Sequence, residues 1–265
     1  MEDDDDLQLS ASTLTALQEF MHEKDARRKR FEDLKAQAED DDAARKQCDS
    51  ATAAVTMEDF EADWNASQFW YSEETSRALA EELAEGAGEG TRIALVSAPS
   101  VFVKLKNLMK DGQVPKCSVH LFEFDRRFEL FGDEFTFYDF NESIKLPAGC
   151  KGAFDRILVD PPFLSEDCQM KAAVTVRWLA KSWTPIGDNP GRPDAVGSQR
   201  DLTLDNDRQR VIVCTGERMK GVVDKMYRKA GVRCTDFDVR HAQGLSNEFR
   251  CYANFESERW KWVAE

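Results

Sequence analysis

From residue 92 onwards, short apolar segments typical of buried strands alternate with segments of helical periodicity. The strands are predicted at Arg92–Ser97, Ser118–Glu123, Glu134–Tyr138, Phe154–Val159 and Val211–Cys214. Strands that alternate with helices favour a doubly wound, largely parallel α/β sheet. Two closing strand patterns, Arg233–Val239 and Glu248–Phe255, have no helical pattern between them. We therefore expect them to form an antiparallel hairpin at one edge.

The charge distribution divides the chain into an extension and a main domain. The sequence has 265 residues and a formal net charge of −14, and residues 1–60 hold 17 acidic side chains against 8 basic ones. We interpret 1–60 as an acidic, charged extension with one amphipathic helix in Leu7–Met21, and 61–265 as the main domain. Residues 184–208 are rich in proline and glycine, which predicts a loop insertion within that domain.

Charge and cysteine usage exclude several classes of protein. No apolar run approaches the roughly 20 residues of a membrane span, and the acidic start Met1–Asp6 does not resemble a targeting signal. Seven cysteines without a CxxC pair, and only three histidines, argue against a metal site or a disulfide framework. We therefore expect a cytoplasmic protein with reduced thiols and no metal. A surface of this charge favours a basic protein partner over nucleic acid.

The sharpest chemical motif is Asp160-Pro161-Pro162-Phe163, directly after the strand pattern FDRILV. Ligands of a doubly wound sheet bind outside the carboxyl ends of its strands. Each proline fixes its own φ, so the carbonyls of Asp160 and Pro161 can be held facing a cleft. With the Asp160 carboxylate they would accept hydrogen bonds from an incoming amino group, beside the flat face of Phe163. A helix-entry turn capped by Ser165 is the alternative interpretation.

Acidic residues at the ends of other strands predict an adenosine cofactor. Glu123 ends the second strand, where a carboxylate commonly binds ribose hydroxyls, whereas Asp125 is expected to cap the next turn. Asp139 ends the third strand and could accept from the adenine amino group. The alternative for these residues is a set of solvated strand-end acids.

The loop after the first strand, which begins with Ser97 and Ala98, has no glycine. A pyrophosphate needs close approach to the backbone, so this loop argues against a dinucleotide. S-adenosylmethionine, which carries no phosphate, is compatible with Ser97 and Ala98 as part of its binding site.

Upstream of the first strand, a cluster of aromatic and hydroxyl side chains consists of Phe69, Trp70, Tyr71, Ser72 and Thr75. We interpret it as a lid over the methionine end of the cofactor, whose carboxylate would meet a hydroxyl or N–H at a helix start. Ordinary packing of a helix over Asn65–Glu85 against the sheet is the alternative.

Taken together, these motifs resemble the eukaryotic elongation factor 1-alpha lysine methyltransferase family, once labelled N6-adenine DNA methyltransferases because of its DPPF or DPPY motif. The matching stretches are LSASTLTALQEF (9–20), SQFWYS (67–72), RIALVSAPSV (92–101), FEFDRRF (122–128), FTFYDFN (135–141), ILVDPPFLSEDC (157–168), VCTG (213–216) and LSNEFRCYANF (245–255). DPPF alone is shared by many amino-methyltransferases, and the combination with SQFWYS and NEFRCY is far more specific. Residues 24–50 and 184–208 depart from the family pattern and leave partner contacts open.

The resemblance implies a Rossmann-like class I methyltransferase fold, with seven mostly parallel strands and an antiparallel edge hairpin. It also implies S-adenosylmethionine as cofactor, a lysine of elongation factor 1-alpha as acceptor, and Asp160, Pro161, Pro162 and Phe163 as the catalytic loop. One rival function is a nucleic-acid adenine N6-methyltransferase, which would hold a flipped base with the same motif, but the acidic chain disfavours it. A non-catalytic cofactor-binding protein is the other rival, and the intact motif disfavours it.

Overall fold

A computed structural model describes residues 70–183, 209–242 and 248–264. The extension, its helix in Leu7–Met21, Phe69 and the insertion at 184–208 lie outside the described residues, so these expectations stay predictions. The helices are α1 (Glu73–Ala84), α2 (Pro99–Lys110), α3 (Glu166–Leu179) and α4 (Lys220–Tyr227). The strands are β1 (Arg92–Val96), β2 (Ser118–Glu123), β3 (Phe135–Phe137), β4 (Arg156–Val159), β5 (Arg210–Gly216), β6 (Arg233–Asp238) and β7 (Phe249–Ala253).

The seven strands form one sheet in the order β3-β2-β1-β4-β5-β7-β6. Strands β1 to β5 pair in parallel, and β7 is antiparallel to both β5 and β6. The predicted seven-stranded, mostly parallel sheet with an antiparallel pair at one edge is therefore confirmed. Within that antiparallel pair, β7 lies inside the sheet and β6 lies outside it.

The centre of the sheet is apolar on both faces. The side chains of Ile157, Leu158 and Val159 in β4 are completely buried, as are those of Ile93 and Leu95 in β1. A parallel strand that is covered on both faces reads as a continuous apolar run, which is why the sequence reveals these strands so clearly. The chain runs from β1 to β2 on one side and returns to β4 on the other. Such a switch point opens a crevice at the carboxyl ends of the strands.

The sequence has helical periodicity over Cys168–Trp183, but helix α3 ends at Leu179, four residues before that pattern does. Ala180 leaves the helix and forms a parallel bridge with Phe154, and its amide still donates to the Val176 carbonyl. Pairing with Phe154 therefore takes the place of another helical turn. Sequence periodicity alone does not show that such pairing competes with the helix.

A buried amide side chain fixes the start of β5 against the end of β7. The Asn254 Oδ1 atom accepts from the Val211 amide at 2.8 Å, and its Nδ2 atom donates to the Gln209 carbonyl at 2.9 Å. Asn254 is itself buried. These bonds satisfy backbone groups that have no access to water at this position.

Replacing Asn254 with leucine, of similar volume, should lower the free energy of unfolding by roughly 2–4 kcal/mol, because two buried backbone groups lose their partners. Urea denaturation with an unchanged m-value would measure this loss. The same substitution at the exposed Asn141 should cost less than about 0.5 kcal/mol. Equal effects of the two substitutions would contradict this role for Asn254.

Candidate active site

The carboxyl ends of β2, β1 and β4 bring two predicted site acids to the same crevice. The Asp160 amide donates to the Val96 carbonyl at 3.0 Å, and the Ser97 amide donates to the Phe122 carbonyl at 2.8 Å. Glu123 follows Phe122 directly and ends β2. Asp160 and Glu123 are close enough to interact electrostatically.

Burial dominates the electrostatics of Asp160. It raises the pKa of the carboxyl from the usual 3.8 to about 7, against a lowering by a hydrogen bond from Tyr71, and the Glu123 carboxylate adds a smaller upward shift. A carboxyl group with a pKa near neutrality, placed at a cleft, is typical of a functional site. The Asp160 amide donates to the Val96 carbonyl, and Pro161 and Pro162 have no backbone N–H. The backbone of these three residues therefore has no free N–H donor.

Glu123 is 7 % exposed and is held by the backbone that follows it. Its Oε1 atom accepts from the amides of Phe124 at 2.9 Å and Asp125 at 3.1 Å. Burial raises its pKa to about 7, although these hydrogen bonds oppose the shift. Among the described residues, none donates a hydrogen bond to Oε2. That oxygen is therefore available to hydroxyl groups of a ligand.

Ser97 turns the chain sharply at the end of β1. Its φ of 53° lies in the left-handed region, which costs a non-glycine residue about 1 kcal/mol or more. The turn leads through Ala98 into α2, which starts with Pro99 at its first position. Strain of this kind often accompanies functional sites, and here it lies beside the ends of β2 and β4.

The Asp160-Pro-Pro-Phe163 loop is anchored from helix α3 and strand β5. Gln169, buried in α3, donates its Nε2 hydrogens to the Phe163 carbonyl at 3.1 Å and to Thr215 Oγ1 at 3.0 Å. Ser165 caps α3 by accepting from the Cys168 amide at 3.3 Å. The helix-entry turn expected as an alternative is thus present, and it serves to stiffen the loop.

Phe163 presents its side chain to solvent while one neighbouring ring supports it. It is 51 % exposed, and the Phe140 ring meets it edge-on with 5.7 Å between centroids. Further along the loop, a Cβ atom at Gly216 would lie 2.8 Å from Leu164 Cδ1. A larger residue at position 216 would require the Leu164 side chain to move, a constraint that the sequence analysis missed.

The upstream segment reaches the site through Tyr71. Its hydroxyl donates to Asp160 Oδ2 at 2.5 Å, a contact between residues 89 positions apart that sequence reasoning had no signal to find. Ser72 and Thr75 lie next to it, where Ser72 Oγ accepts from the Thr75 amide and caps α1. Thr75 Oγ1 in turn accepts from the Arg240 amide at 3.1 Å. The structure thus brings Tyr71 to the Asp160-Pro-Pro-Phe163 loop and occupies the hydroxyls of Ser72 and Thr75 locally. The predicted roles of these three residues in binding the cofactor stay predictions.

The remaining predicted residues lie around the rim. Asp125 caps the turn after β2 by accepting from the Arg127 amide, as expected, and also binds the Arg127 guanidinium. Asp139 uses Oδ1 to accept from the Asn141 amide at 2.8 Å, which leaves adenine recognition a prediction. Phe124 follows Glu123, is 62 % exposed and was not singled out from the sequence.

Trp70 packs edge-on against Phe128, with 6.5 Å between ring centroids.

In the described ranges, no group of three or more histidine, cysteine or acidic side chains is arranged to hold a metal ion. No helix among these residues is long and apolar enough to cross a bilayer.

The strand order, the switch-point crevice and the Asp-Pro-Pro-Phe loop after β4 together define a class I methyltransferase. A family model described as "Probable N6-adenine methyltransferase" matches residues 62–257. The chain is 41 % identical to the protein-lysine N-methyltransferase EFM5 of Saccharomyces cerevisiae, over 97 % of this chain and 95 % of that protein. It is 36 % identical to EEF1A lysine methyltransferase 1 of Mus musculus and of Homo sapiens, over 97 % of this chain and 95 % and 96 % of those proteins. The chain belongs to this family of methyltransferases.

The raised pKa of Asp160 predicts how stability depends on pH. The folded protein keeps a proton that the unfolded chain releases between about pH 4 and pH 7, so the folded state loses stability as pH rises through this window. Asp160→Asn carries no charge and keeps an oxygen for the Tyr71 hydroxyl. At pH 8 its free energy of unfolding, measured by urea denaturation, should exceed that of the wild type by on the order of 2 kcal/mol. The gain should vanish near pH 4, and an equal gain at both pH values would contradict the assignment.

Proposed function

We propose that the protein transfers a methyl group from S-adenosylmethionine to a lysine side chain of elongation factor 1-alpha. The observation that carries this proposal is the partly buried Asp160 carboxyl, whose pKa burial raises, on a stiff proline loop at the switch point. The relatives that match nearly the full chain carry this activity in their names. We place the reaction in the cytoplasm, where the cysteines of the described residues, all free thiols, would stay reduced.

The residues at the crevice fit a cofactor that has a ribose but no phosphate. Glu123 has one oxygen fixed by backbone amides and the other available, which suits two neighbouring ribose hydroxyls. Asp139 would accept from the adenine amino group at the end of β3. The Ser97 turn offers no glycine-rich cradle for a phosphate. When bound, S-adenosylmethionine supplies a methyl group on a positively charged sulfur, which is the electrophile of the reaction.

The acceptor amine meets the loop after β4. A lysine with a pKa of about 10.4 is neutral in only roughly 1 molecule in 2,500 at pH 7, a cost of about 4–5 kcal/mol. A crevice poor in water lowers that cost because it disfavours the ammonium form. Asp160 and the Pro161 carbonyl would accept the amine hydrogens and aim its lone pair. Because an anionic Asp160 also favours the ammonium, we assign it orientation rather than strong general-base catalysis.

Adenine in a nucleic acid is the second candidate acceptor, because the matching family model carries that description. Tight binding to nucleic acid rests on neutralising phosphates with basic side chains, and this chain has a net charge of −14. The full-length relatives whose names specify protein lysine support the first candidate. A non-catalytic cofactor-binding protein would not need the acceptor loop in this form.

Methyl-labelled S-adenosylmethionine, offered with elongation factor 1-alpha, a histone mixture and nucleic acid, tests the proposed acceptor. We expect label only in elongation factor 1-alpha, and almost none with Asp160→Asn, whose affinity for S-adenosylhomocysteine should stay within a few-fold of the wild type. Label found only in nucleic acid would overturn the acceptor assignment. Loss of cofactor binding in Asp160→Asn would overturn the role of Asp160.

Glu123→Gln should show the opposite pattern. It should weaken S-adenosylhomocysteine binding by about 10- to 150-fold, because a hydrogen-bonded carboxylate contributes roughly 1.5–3 kcal/mol. Since Glu123 in the free protein has a pKa of about 7, wild-type affinity should rise between pH 6 and pH 8 as the carboxyl ionises. In the variant this rise should be absent by calorimetry. An unchanged dissociation constant would remove Glu123 from the site and make Asp125 the candidate.

A further inference from the structure

We propose that Tyr71 is a positioning residue for Asp160, which it holds with one carboxylate oxygen fixed and the other free for the acceptor amine. The inference rests on the proposed function, and it gives Tyr71 a place on the acceptor side of the crevice. The sequence-based interpretation placed Tyr71 over the methionine end of the cofactor. The hydroxyl instead donates to Asp160 Oδ2 at 2.5 Å, and none of the described residues donates a hydrogen bond to Oδ1.

The backbone around Tyr71 is held on both sides by the segment after β6. The Ala242 amide donates to the Trp70 carbonyl, and the Ser72 amide donates to the Arg240 carbonyl, both at 2.9 Å. Tyr71 thereby forms an antiparallel bridge with His241. A residue fixed in this way delivers its hydroxyl to one position with little loss of conformational freedom on binding.

The Tyr71 ring is packed as firmly as its backbone. It is 4 % exposed and lies 5.1 Å from the His241 ring, which meets Phe249 at 4.6 Å between centroids. The Cys214 thiol lies on the other side of the hydroxyl. Burial, followed by the Asp160 charge, raises the pKa of Tyr71 well above its usual value. The phenol therefore keeps its proton and donates it in the hydrogen bond to Asp160.

This hydrogen bond decides which protonation state Asp160 presents to the amine. A protonated Asp160 would donate its O–H to the amine lone pair, which is the electron pair that must attack the methyl group. An ionised Asp160 accepts an amine N–H and leaves that pair free. Burial pushes the pKa of Asp160 upward and the Tyr71 hydroxyl opposes it. Tyr71 therefore enlarges the fraction of enzyme with a usable carboxylate near pH 7.

The hydroxyl also limits how strongly the carboxylate holds a cation. A charge-assisted hydrogen bond shares the negative charge of Oδ2 with the phenol. The remaining charge at Oδ1 favours the lysine ammonium less than an unpaired buried carboxylate would. One donor thus favours the ionised form of Asp160 and leaves the acceptor easier to deprotonate.

Tyr71→Phe removes the hydroxyl and keeps the ring, so it separates positioning from packing. Near pH 7 the variant should lose about fivefold in kcat/KM for the protein acceptor, because a lost hydrogen bond to a charged group shifts the Asp160 pKa upward by about one unit. The loss should shrink as pH approaches 9, where the Asp160 carboxyl is ionised in both the wild type and the variant. The dissociation constant of S-adenosylhomocysteine should change less than about twofold near pH 8.

Tyr138→Phe is the matched control. Tyr138 is also buried, and its hydroxyl hydrogen-bonds Thr175 Oγ1 at 2.9 Å, away from the loop. It should lower thermal stability and leave the ratio to wild-type kcat/KM constant from pH 6 to pH 9. If Tyr71→Phe also gave a pH-independent ratio, its role would be structural. If Tyr71→Phe weakened the affinity for S-adenosylhomocysteine and left the pH profile unchanged, Tyr71 would be a cofactor-binding residue and not a positioning residue for Asp160.

A measurement without any acceptor separates this proposal from the proposed function. The Asp160 carboxyl can be titrated by carbon-13 NMR, with Asp160→Asn to assign its signal. Its pKa should rise by about one unit in Tyr71→Phe and stay unchanged in Tyr138→Phe. An unchanged pKa in Tyr71→Phe would overturn the pairing even if elongation factor 1-alpha is methylated. A raised pKa without methylation of that acceptor would uphold the pairing and overturn only the proposed function.

Discussion

The burial of two carboxyl groups at one end of the sheet is the constraint on which the rest of the site depends. Asp160 directly follows the fully buried strand β4, and Glu123 ends β2. Burial raises the pKa of each carboxyl to about 7. The protein offsets this cost with directed hydrogen bonds, from backbone amides to Glu123 and from the Tyr71 hydroxyl to Asp160. In each carboxyl group, one oxygen is fixed by the described part of the chain and the other accepts no hydrogen bond from it. The proposed binding role would explain why the protein tolerates the loss of folding stability that these two carboxyl groups cause.

The sequence identifies strands well where burial leaves a continuous apolar run. The bounds of β2 match the prediction, and β1 and β4 differ only at their ends, because parallel strands covered on both faces have the clearest pattern. The order of the last strands was less accessible. Whether β7 pairs outside or inside β6 depends on contacts between distant segments, which neither alternation nor turn residues encode.

The site residues also divide into those that the sequence predicts and those that only the fold reveals. Asp160 and Glu123 are visible from sequence because strand ends at a switch point are where ligands bind, and the structure brings both to one crevice. The Tyr71 contact joins residues 89 positions apart, so only the fold can supply it. The left-handed turn at Ser97 was equally hidden, since the positive φ that usually marks glycine falls here on serine. Local chemistry was thus predictable, and long-range geometry was not.

The position of β7 has a consequence for how the sheet is completed during synthesis. β6 pairs with β7, and its Thr235 forms a further bridge with Trp262, yet β6 leaves the ribosome first, because both partners follow it in the chain. Until 249–253 emerge, the polar backbone edge of β5 is uncovered and β6 has no strand to join. An exposed edge of this kind is a template for pairing with other chains. The growing chain thus passes through a stage in which the uncovered edge of its sheet can pair with the wrong strand.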